Sequence, residues 1–91
     1  MRVEVVDECF KFFSLEYPHV KKDELNLIIA QSRIFEEDLR WLEGEEHHNK
    51  YVKTTNKVTL RIPDYIAQRY CLENPIILYT NGDTFYTIYD I

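Results

Sequence analysis

The sequence predicts an α+β fold, in which two or three N-terminal helices pack on a small antiparallel sheet with a C-terminal β-hairpin. Three observations predict it. The apolar residues of the first half recur at helical spacing, those of residues 58–62 alternate as in a strand, and an Asn-Gly pair separates two β-rich segments near the C-terminus. At 91 residues we expect one domain, residues 1–91, with an acidic helical half (1–46) and a strand–helix–hairpin half (47–91).

The first predicted helix covers Val3–Tyr17 and ends before Pro18. Its apolar side chains return at the i, i+3, i+4, i+7 and i+11 positions of one helix face. These residues are Val6, Cys9, Phe10, Phe13 and Tyr17. Because such a face packs against the rest of a domain, we expect Cys9 to lie in the core.

The second predicted helix begins at Asp23, whose side chain can cap its N-terminus, and runs toward Trp41. Its apolar residues follow the spacing of a packed helix seam, with Ser32 in one polar position. Gly44 is a suitable residue to end it. Whether the helix divides at Ser32 stays open, as does whether Trp41 packs in the core or anchors a partner.

The second half of the chain begins with a polar loop over residues 45–56. Residues 58–62 then alternate between apolar and polar side chains, which predicts a strand with one buried face. Pro63 closes this strand because it has no N–H to donate to a ladder. Asp64 can cap a short helix that continues to Leu72.

The C-terminal residues predict a β-hairpin. Asn81–Gly82 lies between two β-forming segments, 76–80 and 83–91, and Asn-Gly is a favoured pair for a type I′ turn. A two-residue loop would pair Leu78 with Phe85. Both faces of such a hairpin are apolar or aromatic, so a monomer would keep a surplus of Tyr and Ile for a partner or for self-association.

The net charge of −5 is unevenly distributed along the chain. Residues 1–46 carry 12 acids and six bases, residues 47–61 carry four bases and no acid, and residues 62–91 carry four acids and one Arg. An acidic chain is not expected to coat nucleic acid or an anionic membrane with its whole surface. Either these segments are ordinary solvated faces, or the molecule has an acidic end and a basic ribbon.

The two cysteines, Cys9 and Cys71, form neither a C-x-x-C pair nor a disulfide framework. This predicts a reduced, intracellular protein in which both thiols pack in the core. The N-terminal residues lack the apolar run of a signal peptide, and no stretch approaches the roughly 18 apolar residues of a membrane span. We therefore expect a cytoplasmic protein with no membrane partner.

Residues 50–89 run as a strand, a basic turn, a strand that ends in Ile62–Pro63, a short helix and a terminal hairpin. In this order they resemble the swapped-hairpin module of the AbrB and MazE family. The resemblance implies an interleaved homodimer, a transcriptional regulator whose basic strands contact DNA phosphates. The implied DNA contacts are Lys50, Lys53, Lys57 and Arg61. The chain departs from the family at Glu73-Asn74-Pro75, where the family usually has a Gly and an acidic pair.

No pattern in the chain predicts an enzyme. His47–His48 follows Glu45–Glu46, but adjacent side chains of an extended segment point apart, and no Cys/His set stands at metal-ligand spacing. The two glycines, Gly44 and Gly82, form no phosphate-binding loop. We therefore expect no catalytic residue, no cofactor and no metal site.

These observations favour a small, acidic, non-catalytic protein-binding module that inhibits or neutralises a partner protein, of the antitoxin, immunity or phage anti-defence type. The partner would carry a basic surface, because acidic complementarity speeds encounter while aromatic anchors supply affinity. The predicted contacts are Glu36, Glu37, Asp38, Trp41, Glu43, Glu45 and Glu46. The alternative is the DNA-binding dimer that the family resemblance implies.

Overall fold

The computed structural model describes residues 2–34, 40–43, 48–52, 56–82 and 84–89. Three helices and seven strands form within these ranges, which confirms the predicted α+β class. In chain order the elements are β1 (Arg2–Val5), α1 (Asp7–Glu16), α2 (Lys22–Ala30), β2 (Arg33–Ile34), β3 (Arg40–Glu43), β4 (His48–Val52), β5 (Lys57–Arg61), α3 (Asp64–Tyr70), β6 (Ile76–Tyr79) and β7 (Thr84–Tyr89).

The strands form two antiparallel sheets. The first has the order β1-β7-β4-β3, and the second has the order β2-β5-β6. Helix α2 packs on β1 of the first sheet, and α1 packs on β6 of the second. The two sheets and the helices bury one apolar cluster, whose fully enclosed members include Leu25, Val58, Leu60, Leu78, Phe85 and Tyr86. The hydrophobic free energy of this cluster holds the two sheets together.

The first helix begins later than predicted. Residues Arg2–Val5 form β1 and pair with β7, with Val3 and Val5 buried and Arg2 and Glu4 exposed. This alternation has the period of a strand, whereas the prediction extended the helical period across the same residues. Pairing with β7 therefore determines their conformation, and α1 starts at Asp7.

The prediction of a long second helix was wrong. Helix α2 ends at Ala30, and the chain continues into the short strand β2. The hydroxyl of Ser32 donates to the carbonyl of Ile28 (2.5 Å), so Ser32 lies just past the break that the sequence left open. Pairing with β5 and β4 then places β2 and β3 in the two sheets, and Trp41 and Glu43 lie on β3 rather than on a helix.

The second half agrees better with prediction. Strand β5 and helix α3 occupy the predicted positions, while the predicted loop over 45–56 contains β4. Both C-terminal strands are present, but they pair with different neighbours. Leu78 on β6 lies opposite Val58 instead of Phe85, and β7 pairs with β1 and β4. The two apolar faces of this segment are thus divided between two sheets.

Candidate functional site

The predicted acidic site falls largely outside the described residues. Glu36, Glu37, Asp38, Glu45 and Glu46 lie there, as does Lys53 of the alternative DNA-binding site. Trp41 and Glu43 occupy β3, opposite Tyr51 and Asn49, and Lys50 occupies β4 opposite Leu42. The acidic protein-binding site therefore stays a prediction.

The second sheet has an outward face. The structure describes every residue that β5 and β6 contribute to it. Val58 and Leu60 are completely buried, so the alternate residues Lys57, Thr59 and Arg61 point outward. The outward face therefore brings together two of the four residues predicted for DNA binding.

Residues of β6 complete two rows of this face. Tyr79 lies opposite Lys57, and Ile77 lies opposite Thr59. Tyr79 is 46% exposed and Ile77 is 39% exposed, so both present apolar surface on this face. Directly opposite side chains in an antiparallel pair project from the same face, so the aromatic and apolar groups stand beside the cationic ones. We call these four residues and Arg61 the sheet face.

At one end of the sheet face, Arg61 lies directly opposite Arg33 of β2. Both arginines are exposed, and both line an open cleft of about 670 Å³. Gln31 lies on the helix side of this cleft, and Pro63 supplies an apolar side chain next to the buried Ile62. We call it the arginine cleft.

Asn74 closes the strand side of the arginine cleft and extends the β5–β6 ladder with its side chain. It occupies the position that continues the β5–β6 register opposite Ile62. The N–H of Ile62 donates to Asn74 Oδ1 (3.1 Å), and Asn74 Nδ2 donates to the carbonyl of Ile62 (2.7 Å). Asn74 Nδ2 also donates to Asp64 Oδ1 (3.2 Å), the one carboxylate among the described residues that line the cleft.

A second, smaller groove of about 260 Å³ lies between α2 and α3. Leu27 and Tyr65 line it and are both mostly exposed. The Tyr65 hydroxyl donates to Gln31 Oε1 (3.2 Å), which joins this groove to the arginine cleft. Arg69 lies at the α3 side of the groove, away from the paired arginines.

The two thiols and the His19 imidazole occupy different environments. Cys9 is fully buried as predicted, and burial raises the pKa of its thiol to about 12, so it is a poor nucleophile. Cys71 is exposed, so its predicted place in the core was wrong. It follows α3 with a left-handed backbone (φ 53°), which turns its side chain out of the helix face. His19 Nε2 lies 2.6 Å from the carbonyl oxygen of Tyr70, a contact that ties the turn after α1 to α3.

Within the part of the chain that the structure describes, no three His, Cys, Asp or Glu side chains come close enough together to bind a metal ion. In the same residues, no helix has the length and apolar character needed to cross a bilayer.

Arg33, Ile77 and Tyr79 were not predicted as site residues. Arg33 stood in the interior of a predicted helix, and only its strand pairing brings it beside Arg61. The surplus of Ile and Tyr noted in the C-terminal segment was the signal for Ile77 and Tyr79. The comparisons with known proteins add no further assignment: the chain matches no protein family, no curated protein and no solved structure.

Proposed function

We propose that this protein is a non-catalytic protein-binding module and that the sheet face is its contact surface. The observation that carries the proposal is the juxtaposition of exposed Ile77 and Tyr79 with Lys57 and Arg61 on one side of a three-stranded sheet. Tyr and Arg are the residues most enriched at energetic centres of protein interfaces, and an apolar group beside them supplies buried area.

The sheet face also defines the chemistry of its partner. Two cations surround an aromatic and an aliphatic side chain, so a complementary surface has an apolar centre with carboxylates at its rim. This differs from the basic partner predicted for the acidic residues, of which Trp41 and Glu43 lie on β3. A module of this kind acts by covering a surface of its target, as an inhibitor or neutraliser does.

Affinity capture with matched variants tests the proposal. Wild-type protein is immobilised, and proteins from the native host that bind in stoichiometric amounts are identified and then titrated as purified proteins. The double variant Ile77→Ser, Tyr79→Ser removes the apolar centre of the sheet face. We expect it to weaken binding at least about 30-fold, since loss of two interface anchors costs about 2 kcal/mol or more.

The matched control is Leu15→Ser. Leu15 on α1 is 79% exposed, so the variant removes an exposed apolar side chain elsewhere on the molecule. It should bind the partner as wild type does. A partner that binds wild type and both variants equally would exclude the sheet face as the contact surface. If that partner is lost instead on reversing Glu36 and Glu37, the acidic site is the correct one.

DNA binding is a second candidate. Lys57 and Arg61 each lie two positions from Thr59, and both are on the outward face of β5. Four residues of strand separate these two cations by about 13 Å, so together they would contact phosphates that are not neighbours on one strand. The test is duplex binding measured across a salt series for wild type and the Lys57→Ala, Lys53→Ala double variant. DNA contact requires affinity that falls steeply with salt and a shallower slope for the variant. No duplex binding at low salt would eliminate this candidate.

A further inference from the structure

We propose that Asn81 is a site of spontaneous covalent modification, at which the side-chain amide cyclises onto the backbone nitrogen of Gly82 and is then hydrolysed to aspartate and isoaspartate. This modification is independent of the protein-contact surface proposed above. Asn81 and Gly82 are both exposed, and they lie in the bend between β6 and β7. The feature that carries the proposal is the position of this bend outside the strands of both sheets.

The reaction needs only the chain and water. The backbone nitrogen of Gly82 forms a bond to Cγ of Asn81, and the side-chain nitrogen leaves as ammonia with the proton that the backbone nitrogen loses. Water then opens the resulting cyclic imide. Cleavage of the bond between Cγ and the nitrogen gives aspartate, whereas cleavage at the main-chain carbonyl gives isoaspartate. Glycine favours the ring closure, because it has no β-carbon beside the attacking nitrogen and its backbone is permissive.

The strand pairing of the fold leaves this bend without the support of a hairpin. The sequence predicts that Asn81–Gly82 joins two strands that pair with each other. In the structure β6 pairs with β5, while β7 pairs with β1 and β4. The N–H of Gly82 donates to the side chain of Thr80, at Oγ1 (3.1 Å). Ring closure therefore breaks this local hydrogen bond and leaves the described strand pairs intact.

Thr80 restrains the attacking nitrogen. Its side chain is 1% exposed, and its own N–H donates to the carbonyl of Asn56 (3.1 Å), so Oγ1 is held in place. While the N–H of Gly82 donates to this oxygen, the nitrogen keeps the proton that it must lose to attack Cγ. The folded protein should therefore react more slowly than the denatured chain, in which that hydrogen bond is absent.

The other four asparagines of the chain are internal controls. Asn74 precedes Pro75, whose nitrogen carries no hydrogen and cannot form the imide. The remaining three precede a residue with a β-carbon, which crowds the attacking nitrogen. They are Asn26, Asn49 and Asn56. Only Asn81 combines exposure with a following glycine.

Modification changes the molecule in a defined way. Both products add a negative charge at the bend, close to α1, since Glu8 Oε2 is 4.0 Å from the position that a β-carbon on Gly82 would occupy. Isoaspartate also routes the main chain through its own Cβ and Cγ, which lengthens the link between β6 and β7. We therefore expect the isoaspartate form to be less stable than the aspartate form.

Incubation of the purified protein at a series of pH values above neutrality tests the proposal. Mass spectrometry detects the replacement of NH₂ by OH, fragment spectra locate it, and enzymatic methylation of isoaspartate identifies the second product. We expect the change at Asn81 and not at Asn26 or Asn74. Its rate should rise with pH, because loss of the backbone proton precedes the attack.

Two variants test the roles of the neighbouring residues. Gly82→Ala should react at least about tenfold more slowly than wild type. It should keep the fold, because φ of Gly82 is not positive and the nearest atoms lie 3.8 and 4.0 Å from the added β-carbon. Thr80→Val has nearly the same shape and loses the acceptor oxygen. It should react about fivefold faster, a ratio that corresponds to about 1 kcal/mol, the contribution of one neutral hydrogen bond.

Three results would overturn the proposal. The first is no reaction at Asn81 in the folded wild type over a period in which the urea-denatured chain reacts there. The second is a Gly82→Ala variant that reacts as fast as wild type, which would exclude the backbone nitrogen as the nucleophile. The third is a product that contains aspartate and no isoaspartate, because direct hydrolysis of the side-chain amide gives aspartate alone. Equal rates for Thr80→Val and wild type would exclude the restraint by Thr80.

Discussion

Two asparagine side chains bond to backbone that lacks a neighbouring strand, one just past the end of β5 and one on the edge strand β1. Asn74 makes two hydrogen bonds with the backbone of Ile62, and the N–H of Val5 on the edge strand β1 donates to Asn26 Oδ1 (2.8 Å) on α2. An edge strand has backbone groups without a partner strand, and a side-chain amide offers the same donor and acceptor as a peptide. From the sequence alone, Asn26 and Asn74 could be assigned only as polar residues of a helix and of a turn.

Replacing Asn74 should therefore destabilise the fold. Asn74→Leu leaves the N–H and carbonyl of Ile62 without their partner, which we expect to lower the free energy of unfolding by about 1–3 kcal/mol in urea denaturation. The control is Asn56→Leu, because the exposed Asn56 contributes its backbone carbonyl to the N–H of Thr80 and that bond survives the change. Equal stability of Asn74→Leu and wild type would show that the ladder does not depend on the side-chain amide.

The two thiols should differ sharply in reactivity. Cys71 is exposed and Cys9 is fully buried, so a thiol reagent at pH 8 should label one cysteine rapidly in the native protein and both in denaturant. Cys71→Ser should remove the rapid phase and leave a slow one limited by unfolding. Rapid labelling of two cysteines in the native wild type would contradict the buried position of Cys9.

Stability should fall at alkaline pH because of Cys9. Burial raises the pKa of this thiol from 9.0 to about 12, so the unfolded chain releases its proton at a lower pH than the folded protein. The contribution is complete below pH 9 and is lost as pH rises toward 12, with a slope approaching about 1.4 kcal/mol per pH unit. Burial also raises the pKa of Tyr17, which adds a loss in the same direction at higher pH.

Urea denaturation between pH 7 and 11 measures this dependence. The Cys9→Ala variant should be less stable at pH 7, since it leaves a small cavity, but its stability should change much less between pH 9 and 10. Cys71→Ser should keep the slope of wild type. A slope that survives in Cys9→Ala would assign the alkaline loss to other groups.

At the scale of elements, the periodicity of apolar residues was sufficient to predict the segments that pack against the core with one face. Strand β5 and helix α3 form where the alternating residues and Pro63 placed them. Arg33 shows why the rest could not be predicted. Helical spacing continues through it, but pairing with Arg61, far along the chain, stabilises a strand there instead. The arginine cleft depends on this long-range pairing, so only its Arg61 side could be anticipated.

The pairing of β6 with β5 can be tested by crosslinking. In a Cys71→Ser background, Thr59→Cys and Ile77→Cys place two thiols at directly opposite positions, within the separation that a disulfide spans. We expect oxidation to crosslink them and to raise the urea midpoint. Backbone NOEs between Leu78 and Phe85 in wild type would instead indicate the hairpin that the sequence predicted, because only paired strands bring those backbone protons together.

At the scale of the whole molecule, the net charge of −5 and the cationic sheet face coexist because β5 carries Lys57 and Arg61 and no acid. An acidic average therefore does not exclude a local surface that attracts anions. Charge segregation along the sequence did indicate this polarity. It could not place Arg33 with Lys57 and Arg61, since that grouping exists only after β2 and β5 pair.

The mass in solution distinguishes a monomeric protein-binding module from the homodimer that the family resemblance implies. A module that contacts a different protein should sediment as a monomer of 11.0 kDa at micromolar concentration. A species of twice that mass would favour the interleaved homodimer implied by the AbrB and MazE resemblance. In that case the Ile77→Ser, Tyr79→Ser variant would show whether the sheet face holds the two copies together, because loss of that contact would restore the monomer.

The position of β7 also bears on how the protein forms during translation. Among the described strands, β1 pairs with β7 alone, so β1 lacks its partner until residues 84–89 have left the ribosome. The valines of β1 stay exposed on the nascent chain until β7 emerges, a period in which chaperones can bind them. A ribosome that stalls before residue 84 would release a chain unable to complete its first sheet.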